Sequence, residues 1–158
     1  MGIMEQIIEG AAAPAFSMLA SGGRQVSSAG LLGRPYLLYF YPKADTSGCT
    51  VQACGLQQAL PQLASLGLEI IGVSPDPVAK LDRFAVKYSL TFPLASDADH
   101  AVAEAYGVWV EKSMYGRKYW GMERSSFLVG ADGRVRKTWR KVKPAEHAMA
   151  VLAAAGAS

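Results

Sequence analysis

One run of seven residues, Pro35-Tyr36-Leu37-Leu38-Tyr39-Phe40-Tyr41, constrains this chain more than any other segment. It carries no charge and no apolar–polar alternation. A strand with one face in water alternates. An unbroken apolar strand suits a sheet covered on both faces, which is the arrangement of α/β proteins. A second such run, Leu68-Glu69-Ile70-Ile71-Gly72-Val73-Ser74, follows after a helical segment. That segment, Cys49 to Leu66, places Leu56, Leu60, Leu63 and Leu66 at helical spacing, and Pro61 is expected to kink it.

The alternation continues. Pro77 opens a helix that runs to about Tyr88, with proline in the favoured first turn. A short strand near Phe92-Pro93-Leu94 and a helix from Asp99 to Tyr106 come next, with Asp97 and Asp99 as turn and cap residues. Ser125 to Val129 reads as a strand, Ala131-Asp132-Gly133 as a hairpin turn, and Arg134 to Arg140 as the returning strand. Pro144 to Ala155 is an Ala-rich closing helix, with His147 expected at its surface. The expected fold is α/β, a mixed central sheet flanked by helices, in one domain over residues 1–158.

A chain of 158 residues with 51% hydrophobic content can build a core without staples. This weakens a structural role for its two cysteines, Cys49 and Cys54. A net charge of +3 falls short of a dedicated nucleic-acid binder. The basic run Arg134, Arg136, Lys137, Arg140, Lys141 and Lys143 reads as a solvated face, with a partner-docking patch as the alternative. No segment has the ~18 apolar residues of a membrane span. Met1 to Gly10 lacks the basic start of a signal peptide. The expectation is a cytoplasmic protein, a compartment where cysteines are more often catalytic or metal-binding than structural.

A metal site is not expected, because the only histidines, His100 and His147, have no ligand spacing to the cysteines. Cys49 instead follows the turn Thr46-Ser47-Gly48 at the start of the predicted helix. The free N–H groups and dipole of a helix N-terminus favour a thiolate there. Gly48 permits close backbone approach, and Thr46 can aim a hydroxyl at the same place. Cys54 lies five positions on. In an ideal helix the two Cα atoms are about 8.6 Å apart, beyond the ~4.4–6.8 Å that a disulfide spans. A catalytic disulfide therefore requires local unwinding, expected over Thr50 to Gly55. The Cys-x-x-Cys spacing of thioredoxin-type oxidoreductases is absent. A thiolate with a second thiol nearby fits peroxide reduction through a sulfenic acid.

The stretch from Tyr39 through Pro42-Lys43-Ala44-Asp45-Thr46-Ser47-Gly48-Cys49 to Cys54 resembles the peroxiredoxins, specifically the PrxQ branch, also called bacterioferritin comigratory protein. The motif is Pro-x-x-x-Thr-x-x-Cys. Ala13-Pro14-Ala15-Phe16, Tyr106-Gly107-Val108-Trp109 and Arg124-Ser125-Ser126-Phe127 resemble further segments of that family. Ser47 stands where the family often has Pro, and Ser126 where Thr is usual. The resemblance implies a thioredoxin-like fold and a thiol peroxidase acting on hydrogen peroxide and organic hydroperoxides. Cys49 would be the peroxidatic nucleophile and Cys54 the resolving thiol. Arg124 would hold the thiolate and bind peroxide oxygen, and Thr46 would hydrogen-bond the peroxide. Pro42 would shield the sulfur, and the N–H groups of Gly48 and Cys49 would complete the oxygen cradle. It implies no metal or organic cofactor, thioredoxin or glutaredoxin as reductant, and a monomer. The competing readings are a thiol–disulfide carrier that ignores peroxide and a thioredoxin-like binding or chaperone module. Trp109, Tyr115, Tyr119 and Trp120 read as a loop packed over the sheet, or else as a pocket wall or docking surface. Lys43 and Asp45 read as solvated loop residues.

Overall fold

The computed structural model describes residues 7–157. The reading of the chain start falls partly on residues 1–6 and lies outside them. The main sheet has five strands: β3 (Tyr36–Phe40), β4 (Glu69–Ser74), β5 (Leu94–Ser96), β8 (Ser125–Val129) and β9 (Val135–Trp139). Their order is β5-β4-β3-β8-β9. β3 pairs in parallel with β4, and β4 with β5. The β3–β8 and β8–β9 pairs are antiparallel, so the sheet is mixed.

All five residues of central β3 are buried, as its unbroken apolar run requires. Side chains alternate across a strand. Tyr36, Leu38 and Phe40 enter one core with Phe16, Ile71, Tyr106 and Phe127. Leu37, Tyr39 and Tyr41 enter the other with Leu56, Leu63, Phe84 and Val151. That second face is covered by helices α1 (Ser47–Ser65), α2 (Val78–Tyr88) and α4 (His147–Ala157). The first is covered by α3 (Ala101–Ala105) and the N-terminal segment, which includes the small pair β1 (Ser17–Leu19) and β2 (Gln25–Ser27).

Helix α1 continues as one element through Pro61. Asp97 caps α3 with both carboxylate oxygens, accepting from the N–H groups of Val102 (3.1 Å) and Ala103 (2.8 Å). Two expectations fail. The aromatic stretch is no loop but a hairpin, β6 (Trp109–Met114) and β7 (Arg117–Met122). Its two-residue turn, Tyr115-Gly116, takes positive φ at both positions, as a type I′ turn requires. Only Trp109 packs against the core; Tyr115, Tyr119 and Trp120 are exposed. His147 is not a surface residue either. It is 1% exposed, because the first residue of α4 points inward between α1 and β8.

Candidate active site

Antiparallel pairing of β8 with β3 sets Ser125 opposite Phe40. Arg124, one residue earlier, therefore lies at the end of β3 where the motif loop begins. This register brings together groups more than seventy positions apart in sequence.

The loop from Pro42 to Thr46 is held from the β4–α2 side. The Ala44 N–H donates to the buried Asp76 carboxylate (2.7 Å), which also accepts from the Ser74 hydroxyl (3.0 Å). Asp45 adopts φ 62°. Its carboxylate accepts from Lys87 Nζ (2.9 Å) and the Tyr88 hydroxyl (2.8 Å). The Lys87 bond, then that of Tyr88, holds the Asp45 carboxyl below its ordinary range. Asp45 is the solvated loop residue its sequence context suggests, and it also ties the loop to α2. Pro42 opens the loop and is half-buried.

Thr46 is the N-cap of α1 in extended conformation, and its hydroxyl makes no capping bond. The hydroxyl donates instead to the Lys43 carbonyl (2.9 Å). That uses its one proton, so toward any other partner it can only accept. The carbonyl of Thr46 receives the first helical bond, from Thr50 (2.8 Å). The N–H groups of Gly48 and Cys49 fall in the first turn, where no intrahelical acceptor exists. Cys49 is 1% exposed, its side chain against the apolar cluster. Cys54 is half-buried, and both are free thiols on an unbroken helix.

Arg124 lies against this first turn. A Cβ placed on Gly48 would sit 3.2 Å from Arg124 Nη2 and 3.5 Å from Pro144 Cγ. The bare glycine is what lets the guanidinium approach. Arg124 Nη1 donates to Gln52 Oε1 (2.6 Å), one turn beyond Cys49 on the same helix. The Gln52 amide nitrogen meets His147 Nδ1 (3.0 Å), and His147 Nε2 meets the Ser126 hydroxyl (2.6 Å). Burial, with the Arg124 charge second, pushes His147 down to about 4. Lys112 of β6 donates to the Met122 carbonyl, and burial, then Arg124, holds its ammonium below its ordinary value.

Cys49, Thr46, Gly48 and Arg124 are therefore gathered at one helix end, with Pro42 at the start of the same loop. Cys54 stands about a turn and a half away along α1. Sequence reasoning missed Gln52, His147 and the Asp45 clamp. Gln52 was visible as a polar residue three positions after Cys49 on the inward face. His147 gave no such signal. Among the described residues, no group of three or more His, Cys, Asp or Glu is placed to hold a metal ion.

A mixed sheet of this order, with a buried cysteine at the start of the helix after its central strand, defines a thioredoxin-like peroxiredoxin fold. Comparison with known proteins agrees. The AhpC/TSA family matches residues 10–138. The chain is 45% identical to peroxiredoxin Bcp of Escherichia coli K12 over 149 residues, 94% of this chain and 96% of that one. A structure of the Xanthomonas campestris bacterioferritin comigratory protein, from work on its alkyl peroxide reduction activity, superposes with a TM-score of 0.86 at 43% identity, covering 90% of each chain. A mutant PrxQ of Xylella fastidiosa gives 0.91 at 33% identity, covering 97% of this chain and 98% of that one. The chain belongs to the AhpC/TSA family, in the Bcp/PrxQ branch of the peroxiredoxins.

Proposed function

We propose that this chain is a thiol peroxidase that reduces hydrogen peroxide and organic hydroperoxides with Cys49 as nucleophile. The observation that carries this reading is the Arg124 guanidinium seated on Gly48 at the first turn of α1, beside the buried Cys49. A fixed cation and two first-turn N–H groups are preorganised donors for charge that moves from sulfur to oxygen. The Xanthomonas campestris relative's alkyl peroxide reduction supports the same substrate class.

The Cys49 thiolate attacks the terminal peroxide oxygen. An S–O bond forms as the O–O bond breaks, and the leaving oxygen takes a proton to depart as water or alcohol. Sulfur is oxidised by two electrons and the peroxide reduced by two. Thr46, with its proton committed to Lys43, accepts the hydroperoxide O–H. Pro42 keeps water from the sulfur. Cys54 then displaces the sulfenic oxygen as water, forming the Cys49–Cys54 disulfide. Both cysteines sit on continuous helix in the dithiol form. The ideal-helix separation of about 8.6 Å exceeds disulfide reach, so residues from about Thr50 to Gly55 unwind for this step. Thioredoxin or glutaredoxin returns the disulfide to two thiols. The reading extends to a monomer acting in the cytoplasm. No helix among the described residues is long and apolar enough to cross a membrane, and light scattering checks the monomer.

The test is one equivalent of hydrogen peroxide added to the reduced protein in stopped flow, followed by intact and peptide mass. Rapid loss of both thiols, a fall of about two mass units and a Cys49–Cys54 peptide are expected. Cys49→Ser should consume no peroxide. Cys54→Ser should consume one equivalent and fail to turn over with thioredoxin. Oxidation of wild-type protein no faster than free cysteine would refute the proposal and leave the thiol–disulfide carrier as the better reading.

A further inference from the structure

Three polar side chains are almost fully enclosed where α1, β8 and α4 meet: Gln52 at 1%, Ser126 at 0% and His147 at 1% exposure. Buried polar groups of this kind cost stability unless each finds a partner. These three satisfy one another in a single chain that ends on Arg124.

The direction of that chain is fixed by chemistry. Arginine only donates, so the Gln52 amide oxygen faces Arg124 and its NH2 faces His147. The His147 Nδ1 therefore accepts. The imidazole is neutral, so its proton is on Nε2 and is donated to the Ser126 hydroxyl. The ring is held by packing against Tyr39 (5.8 Å between centroids) and Trp139 (6.2 Å). Turned over, the ring would set carbon rather than nitrogen against both Gln52 and Ser126.

We infer that His147 is a positioning residue for the Cys49 site. Through its Nδ1 it fixes the amide of Gln52, and Gln52 in turn fixes the Arg124 guanidinium against Gly48. The inference rests on the peroxidase reading for its meaning, but its geometry stands independently. Without an acceptor at Nδ1, the Gln52 NH2 is left buried and unpaired. The amide then turns to find a partner, and Arg124 loses the bond that orients it. Arg124 is the charged group that faces this network. β3 contributes Tyr39, held neutral by burial; β9 contributes Trp139, with Lys137 over its outer face; β8 contributes Ser126. Glu146, the neighbour of His147, is exposed.

Gln52 also lies inside the segment that must unwind for Cys49 to reach Cys54. The chain from His147 to Arg124 is therefore intact in the dithiol form and broken in the disulfide form. His147 thus ties the placement of Arg124 to the folded helix.

The test uses the pH profile of Cys49 alkylation by iodoacetamide in the Cys54→Ser background, which involves no peroxide, alongside the rate with hydrogen peroxide. His147→Leu removes the acceptor. Its alkylation midpoint should move up by about one pH unit, equal to a tenfold loss of rate below the midpoint. It should rejoin the parent rate well above the midpoint, which a general packing defect would not do. His147→Asn keeps an acceptor one bond from Cγ, as Nδ1 is, and should retain the parent profile. If His147→Leu fails to fold, Gln52→Leu cuts the same chain and should give the same shift. The inference is overturned if the profile of the folded cutting variant overlays the parent, or if His147→Asn shifts as far as His147→Leu. Activated alkylation in wild-type protein that ignores peroxide would instead refute the peroxidase reading while leaving this one standing.

Discussion

Replacing Gly55 with Ala probes the unwinding step directly. Gly55 lies inside α1 and its φ is negative. An added Cβ would meet only the Cβ of Ala148, at 3.7 Å, an ordinary contact. The substitution is therefore free of clash and strain. Glycine in a helix interior is about 0.8–1.0 kcal/mol less favourable than alanine. The dithiol form, with α1 intact, gains that amount. A disulfide form with residues 50–55 out of the helix gains none of it. The dithiol-to-disulfide ratio at a fixed redox poise should rise about fivefold, since ~1 kcal/mol against an RT of ~0.59 kcal/mol is a factor near five. The assay equilibrates the variant and parent in one thiol–disulfide buffer, quenches with an alkylating agent and counts both forms by intact mass. Urea unfolding of the reduced protein serves as the control, with its midpoint rising by the same free energy. A raised urea midpoint with an unchanged redox ratio would mean that the helix survives disulfide formation, and the geometric argument would be wrong.

Other outcomes come from the same contacts. Arg124→Ala should slow peroxide reduction at neutral pH by about a hundredfold or more, the usual cost of losing a preorganised donor; an unchanged rate would remove Arg124 from the chemistry. The Tyr39 hydroxyl is buried with no partner among the described residues. Tyr39→Phe keeps the ring and deletes the orphan, so urea unfolding should show about 1 kcal/mol of added stability. His147 is held at about 4 against an ordinary 6.5. Its folded value is the lower, so the unfolded chain binds the extra proton. The stability that His147 contributes is complete above about pH 6.5 and is lost as the pH falls toward 4, by about 3 kcal/mol in all. Urea midpoints at pH 7 and pH 5 should reveal the slope, and His147→Asn should flatten it; parallel slopes would mean that His147 does not titrate in this window.

The parts of the fold set by burial on two faces were readable from the chain alone. Ser125–Val129 forms over the residues its pattern marked, and β3 and β4 fall on the two apolar runs. The β6–β7 hairpin was not, because its strands are largely exposed and mix lysine, glutamate and aromatics without an alternating pattern. At the site, the motif made Cys49, Thr46 and Gly48 legible together, since they share one helix end. Arg124 could be placed there only by resemblance, because nothing local in its sequence says that β8 pairs with β3. His147 was misplaced for a related reason. A histidine in an Ala-rich helix looks solvated until α4 is docked on α1 and its first residue meets Gln52.

In the proposed cycle, the Asp45 contacts bear on how the site would reset once the disulfide is reduced. Starting a helix is its costly step, because the first turn fixes several dihedrals for one hydrogen bond, whereas each later residue adds a bond as it is fixed. Lys87, Tyr88 and Asp76 secure the loop just before Thr46 from elements other than α1. In the proposed disulfide form, with Thr50 to Gly55 unwound, these contacts would still hold the loop up to Thr46, and the helix beyond Gly55 to Ser65 would not need to open. Such a gap would have an ordered end on each side. After cleavage of the disulfide, rewinding would be propagation from existing turns rather than fresh nucleation, at about nanoseconds per residue. In the proposed cycle, rewinding on that timescale would leave the rate to the bond-making steps at sulfur and to the meeting with the reductant.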